Sequence, residues 1–297
     1  MNKKLTVKRV IIFCIISFLP FWIVVPVLNS CYGGMVYTVE EAATAVYVLG
    51  VLGMFIPAIA NLLTRLITKE GFGNSYLGLN LKGNGKYYAA AILVKPMEAA
   101  LAMLLICKVF IKDIAFGELF VREDFSPMLA VAFMQIAAAV IIFFPAFGEE
   151  WGWRGYLGPK LKELLGMPAS IIVGGVIWGL WHAPLTIAGH NFGTDYAFYP
   201  WIGIGSMCVM CILFNAFLTW LTERTNSIYP ASFCHMINNS LQVEFFIAMF
   251  VSERGQEALN GNPDYHVISV FLLYLPVLAI TGIAAFVALI KKKREVQ

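Results

Sequence analysis

Long apolar runs dominate this chain, broken at intervals by Gly, Pro and small charged clusters. Eight of them, at Val10–Leu28, Ala43–Leu63, Tyr87–Cys107, Met128–Phe147, Ala169–Ala188, Trp201–Leu221, Ile228–Phe250 and Val267–Ile290, are continuous enough to form crossing helices. A bilayer-spanning helix needs roughly 20 mostly apolar residues. The pattern therefore predicts an all-α, polytopic transmembrane helical bundle of about eight spans, a single membrane domain over residues 1–297. The stretch Thr64–Lys86 interrupts it. Gly71, Gly73, Gly78, Gly83 and Gly85 alternate there with basic residues, which reads as a loop with a short interfacial helix. No internal repeat is evident.

Composition agrees with the pattern. The 297 residues are 60% hydrophobic and 13% charged, against about 45–50% and about 25% in soluble domains. The formal net charge of +3 says less than where the charges fall. With the N-terminus in the cytoplasm, the cytoplasmic side receives Lys3, Lys4, Lys8 and Arg9, Arg65 and Lys69, Lys82 and Lys86, Arg154, Lys160 and Lys162, Arg224, and Lys291 to Arg294. The opposite side receives only Lys108, Lys112, Arg122 and Arg254. By the positive-inside rule both termini are expected in the cytoplasm, and a bacterial plasma membrane is the expected location. The basic residues border apolar runs and form no basic domain, so no nucleic-acid partner is expected.

The N-terminal Lys and Arg residues followed by an apolar run resemble a signal peptide, and Leu28-Asn29-Ser30-Cys31 resembles a lipoprotein cleavage box. Asn29 suits that box poorly, and the run is long and contains Pro20 and Pro26, so an uncleaved first span is the expectation. The six cysteines imply no disulfide framework. Cys208 and Cys211 form a C-x-x-C, but in an apolar helix they read as small packing residues.

Ionisable and amide groups inside spans carry more information, because each costs about 2.5–3.5 kcal/mol at the bilayer centre on insertion scales. Lys95 and Glu98, three apart on one helix face, read as an internal ion pair. Glu149 and Glu150 close the fourth span, in Gly148-Glu149-Glu150-Trp151-Gly152-Trp153-Arg154. Glu150 and Arg154 are four apart and share a face, while Glu149 is turned about 100° away. Arg154 can therefore hold Glu150 and leave Glu149 as a carboxylate able to act as a base. His182 lies well within the fifth span, where Trp178 and Trp181 read as packing. The seventh span carries His235, Asn238, Asn239, Gln242 and Glu244, with His235 and Asn239 four apart on one face. Each cluster alone has a structural reading. Together, a carboxylate, two histidines and an amide on neighbouring helices exceed what a passive membrane protein needs.

At these residues the chain resembles the CPBP family of intramembrane proteases, which includes CAAX prenyl endopeptidases and bacteriocin-processing or immunity (Abi-like) members. The Glu-Glu-x-x-x-Arg motif is matched by Glu149, Glu150 and Arg154. A second motif places an aromatic residue, normally Phe, four before His; here these are Trp178 and His182. A third, His four before Asn, is matched by His235 and Asn239. The resemblance covers about 128–250, which would be the catalytic core.

It implies an intramembrane endopeptidase that cleaves a membrane-associated protein or a peptide precursor with glutamate-activated water. Glu149 would be the base, His182 would help bind the water, and His235 and Asn239 would donate to the oxyanion. Glu150 and Arg154 would be supporting. No metal cofactor is expected, although zinc on His182, His235 and Glu149 would be a set that metal accepts. The alternatives are a transporter or channel, and a catalytically silent immunity or scaffold protein. Substrate identity and oligomeric state are not legible. From span positions, Glu149 is expected near the cytoplasmic interface, with a water-filled cavity opening to the cytoplasm and narrowing toward the opposite side.

Overall fold

The computed structural model describes residues 3–32, 50–120 and 126–294. Every regular element among these is helical. They are α1 (Lys3–Tyr32), α2 (Ile56–Ile67), α3 (Gly85–Phe110), α4 (Ser126–Gly152), α5 (Gly158–Leu165), α6 (Met167–Trp181), α7 (Ala183–Ile187), α8 (Trp201–Thr225), α9 (Tyr229–Ser240), α10 (Val243–Phe250), α11 (Glu253–Asn260) and α12 (Val267–Arg294). Six stretches among the described residues are long and apolar enough to cross a membrane: Lys3–Val27, Gly50–Ile67, Gly85–Phe110, Ala132–Leu165, Trp201–Thr225 and Val267–Lys291. The polytopic bundle is as expected. The start of the expected second span, 43–49, and Arg122 lie outside the described residues.

The expected fifth and seventh spans are each broken, and for local reasons. Pro184 has no N–H to return to the carbonyl one turn back, so α6 ends at Trp181, His182 caps it, and α7 restarts at Ala183. In the seventh span the run Asn238-Asn239-Ser240 favours side-chain-to-backbone bonding over helix. There α9 stops, and Gln242 is extended before α10. The fourth span runs on further than expected. A wide π turn at Trp153–Leu157 joins α4 to α5.

Two pairs of glycines set the helix spacing around the centre. A Cβ on Gly148 or Gly152 would meet the backbone of Met54 or Pro57, so α4 lies directly on α2 and its approach. A Cβ on Gly175 or Gly179 would meet the backbone of Ile212 or Cys208, so α6 lies directly on α8. Small residues at such crossings let helices approach where lipid supplies no hydrophobic drive.

The ends of the bundle are tied by polar contacts. On the face that carries the start of α1 and the end of α12, Thr6 donates to Glu163 and Arg9 pairs with Glu70 at 3.1 Å. On the same face Lys162 pairs with Glu223 at 2.7 Å and Arg224 donates to the Ala288 carbonyl. The glycine-rich loop is held there by buried Arg65, which donates to Asn61 and to the carbonyls of Gly71 and Asn74. On the opposite face Asn262 donates to the Phe110 carbonyl, Ser252 N–H donates to the Leu119 carbonyl, and Phe192 packs edge-on to Phe271.

Candidate active site

Glu149 projects from the last turns of α4 and is 2% exposed. Its Oε2 accepts two indole N–H bonds, from Trp153 at 3.0 Å and from Trp178 at 2.7 Å. Trp153 is one turn further along, and the π turn that begins there directs its ring back. Trp178 comes from α6, which the Gly175 and Gly179 crossing sets in place. The carboxylate is therefore free of a cation, as expected, but it is not free of partners.

Glu150 is fully buried and bridges two helices. Its Oε1 accepts from Arg154 Nη1 at 2.9 Å and faces His235 Nδ1 at 2.7 Å. The Arg154 guanidinium also lies 4.0 Å from the centre of the Trp178 ring. A carboxylate oxygen has no proton to donate, so His235 donates from Nδ1 to Glu150, and Nε2 is the nitrogen left for the site. The ring is wedged edge-on between Trp178 and Phe214. His182 is set in the same sense. Its Nδ1 bonds to the Trp178 carbonyl at 2.9 Å, which again leaves Nε2. Asn239 stands one turn above His235. Its Oδ1 accepts from Asn238 at 3.1 Å, while its amide nitrogen meets only the Met54 sulfur at 4.0 Å.

Glu149, His182, His235 and Asn239 line one cavity of about 810 Å³. Lys95, Gln135, His190, Gln242, Glu244 and Tyr274 add to its wall. The buried Lys95–Glu98 pair, 2.8 Å apart, is extended by Tyr274 and Thr281 of α12, so it ties α3 to α12 as the ion-pair reading predicted. The two-histidine, one-carboxylate set does not fit a metal here. Among the described residues no three His, Cys, Asp or Glu side chains are grouped closely enough to share an ion. Cys208 is a packing residue, set against Gly179 of α6.

Two expectations are corrected. Glu149 does not sit at a helix end near the interface. The helical chain continues beyond it to Leu165, and Trp153, Arg154, Tyr156 and Leu157, all at most 4% exposed, close off that side. The cavity does not widen toward the terminal face either. Its wall is drawn from the C-terminal ends of α6, α9 and α10, the first half of α8 and the start of α12, all in the half away from the termini. Sequence reasoning also missed the roles of Trp153 and Trp178. The available signals were the four-residue step from Glu149 to Trp153, and an indole standing where the family motif has a ring without an N–H.

A helical membrane bundle that holds a buried carboxylate beside two oriented imidazoles and an amide, all on one cavity, has the architecture of an intramembrane hydrolase. Comparison with known proteins gives the particular family. The model described as type II CAAX prenyl endopeptidase Rce1-like matches residues 130–241. The chain is 24% identical over 216 residues to CAAX prenyl protease 2 of Methanococcus maripaludis, covering 71% of this chain and 70% of that one. The chain belongs to the CPBP family of intramembrane proteases and is an integral membrane endopeptidase acting on a peptide or protein at the membrane.

Proposed function

We propose that Glu149 is the catalytic base of this endopeptidase and that hydrolysis proceeds without a metal. Glu149 takes a proton from a water held by Nε2 of His182, and the water oxygen attacks the carbonyl carbon of the scissile peptide. The carbonyl oxygen gains the negative charge, and the amide N–H of Asn239 and a protonated Nε2 of His235 donate to it. For that donation both nitrogens of His235 carry protons, and Glu150 on Nδ1 is the counter-ion of the charged ring. Glu149 then passes its proton to the departing amine as the C–N bond breaks. The products are a carboxylate and an amine. Arg154 holds Glu150 and touches no reacting atom, so it is a positioning residue.

The observation that carries this reading is the opposed treatment of two adjacent carboxylates. Glu150 is matched to Arg154 and His235, whereas Glu149 meets only neutral indole donors and faces the cavity. Within the same proposal both termini are cytoplasmic, which rests on the Lys and Arg asymmetry, and 128–250 is the catalytic core. The substrate is a membrane-associated protein or a peptide precursor. The motifs concern bond cleavage and carry nothing on prenylation.

The test compares peptide termini in cells expressing the wild type or Glu149→Gln at equal levels. A set of new N- and C-termini that adjoin in one precursor should appear with the wild type alone. Identical termini in both strains would remove the proposal.

A further inference from the structure

The cavity has a direction that the proposed chemistry does not by itself require. His235 follows the start of α9 by six residues, about 9 Å of helix at 1.5 Å per residue. The reacting centre therefore lies closer to the terminal face than to the other. Yet that short path is shut. Trp153, Arg154, Tyr156, Leu157, Ser227 and Ile228 are all buried between Glu149 and the terminal face. Beyond them Glu70 joins Arg9, Tyr156 and Lys160, and the glycine-rich loop is pinned by Arg65. The long path is open. From Glu149 and His235 the wall climbs through His182, Asn239 and Gln242 to His190 and Val267, in the loops and helix starts of the opposite face. Polar groups recur along this whole climb. Inside a membrane such groups persist where they face protein or water. Water and substrate therefore have one described route to Glu149, and it starts on the face opposite both termini.

We propose that substrate reaches Glu149 from the face opposite the termini, which the Lys and Arg asymmetry makes the extracytoplasmic side, so that the substrates are exported peptides or protein segments displayed at the outer leaflet. A cytosolic tail has no described path to the site. This rests on the proposed orientation and on Glu149 as the reacting centre, but its test needs no catalysis.

The test uses three single-cysteine variants of the full chain in a background without native cysteines, each made with and without Glu149→Gln. Gln242→Cys lies in the cavity wall and Val267→Cys at the start of α12, both at exposed positions. Gly73→Cys lies in the loop of the terminal face, where a side chain meets nothing within 4 Å. The probe is a membrane-impermeant anionic thiosulfonate, applied to intact cells and to inverted vesicles. The expected result is loss of the free thiol at Gln242→Cys and Val267→Cys in intact cells, and at Gly73→Cys in inverted vesicles only. Labelling should be the same in both backgrounds. Modification of Gln242→Cys only in inverted vesicles overturns the proposal. So does a Gln242→Cys thiol that resists the probe from both sides, or a Gly73→Cys thiol that is lost in intact cells. Absence of catalysis with the expected labelling would instead count against the role of Glu149 and leave the access route standing.

Discussion

Replacing Glu150 by Gln should unfold this protein far more readily than replacing Glu149 by Gln, although the residues are adjacent and the substitutions identical. Glu150 is fully buried and accepts on one oxygen from both Arg154 and His235. The Arg154 guanidinium is itself buried, and its Nε and Nη2 have no hydrogen-bond partner. Its charge is balanced by Glu150 and eased by the Trp178 ring. Removing one partner of a buried pair costs about 3–5 kcal/mol, because the remaining charge is left uncompensated. At 1.4 kcal/mol per tenfold, that is a shift of roughly a hundredfold or more in the unfolding equilibrium. Glu149→Gln has a different balance. A Gln carbonyl can still accept from Trp153 and Trp178, so two charge-assisted bonds become two neutral ones, a loss of about 1 kcal/mol each. That loss is partly offset, because the variant no longer buries a charge without a cation. Unfolding of the purified proteins in detergent, by heat or by SDS titration, reads both changes. A Glu150→Gln variant as stable as the wild type, or a Glu149→Gln variant destabilised as much as Glu150→Gln, would refute this division of roles.

Trp178→Phe restores the ring that the family motif usually carries but removes the indole N–H from Glu149. Loss of a bond to a charged group, about 1.5–3 kcal/mol, predicts a fall in kcat of roughly tenfold to a hundredfold with KM little changed; unchanged steady-state turnover would show that the bond is idle. The purified protein should hold less than stoichiometric zinc by metal analysis and keep its activity through chelation, whereas one-to-one zinc with activity lost on stripping and restored on addition would show a metalloenzyme. Burial opposes ionisation of Glu70, but hydrogen bonds from Lys160 and Tyr156 and the charges of Lys160 and Arg9 outweigh it and hold the carboxyl below its usual value of 4.5. Its contribution to stability is therefore present above about pH 4.5 and is lost as pH falls through the lower folded-state value. Glu70→Gln should melt earlier than the wild type at pH 7, with the gap closing on acidification, and a gap that stays constant with pH would contradict the assignment.

The helical membrane architecture was legible because apolar runs of bilayer length have few other fates. The site was legible because charged and amide groups are costly inside such runs and stand out against Leu, Ile and Phe. What escaped was set by contacts between helices. The breaks at His182 and after Ser240 depend on Pro184 and on the Asn-Asn-Ser run, which hydropathy averages away. The partners of Glu149 depend on where α6 lands, and that follows from Gly175 and Gly179 meeting α8. The link from His235 to Glu150 joins residues 85 apart in sequence. The direction of the cavity was misread because Glu149 was taken as the end of a span, when a π turn carries the helical chain past it to Leu165.

The account stands most directly on the turnover of purified protein with and without Glu149. A peptide spanning a junction found by the comparison of cellular termini would serve as substrate, in detergent, with product followed by mass spectrometry. A positioned general base contributes roughly 10²–10⁴-fold. Glu149→Gln should therefore lower kcat by at least a hundredfold while melting close to the wild type and retaining substrate binding. Wild-type turnover by folded Glu149→Gln would contradict the account at its centre.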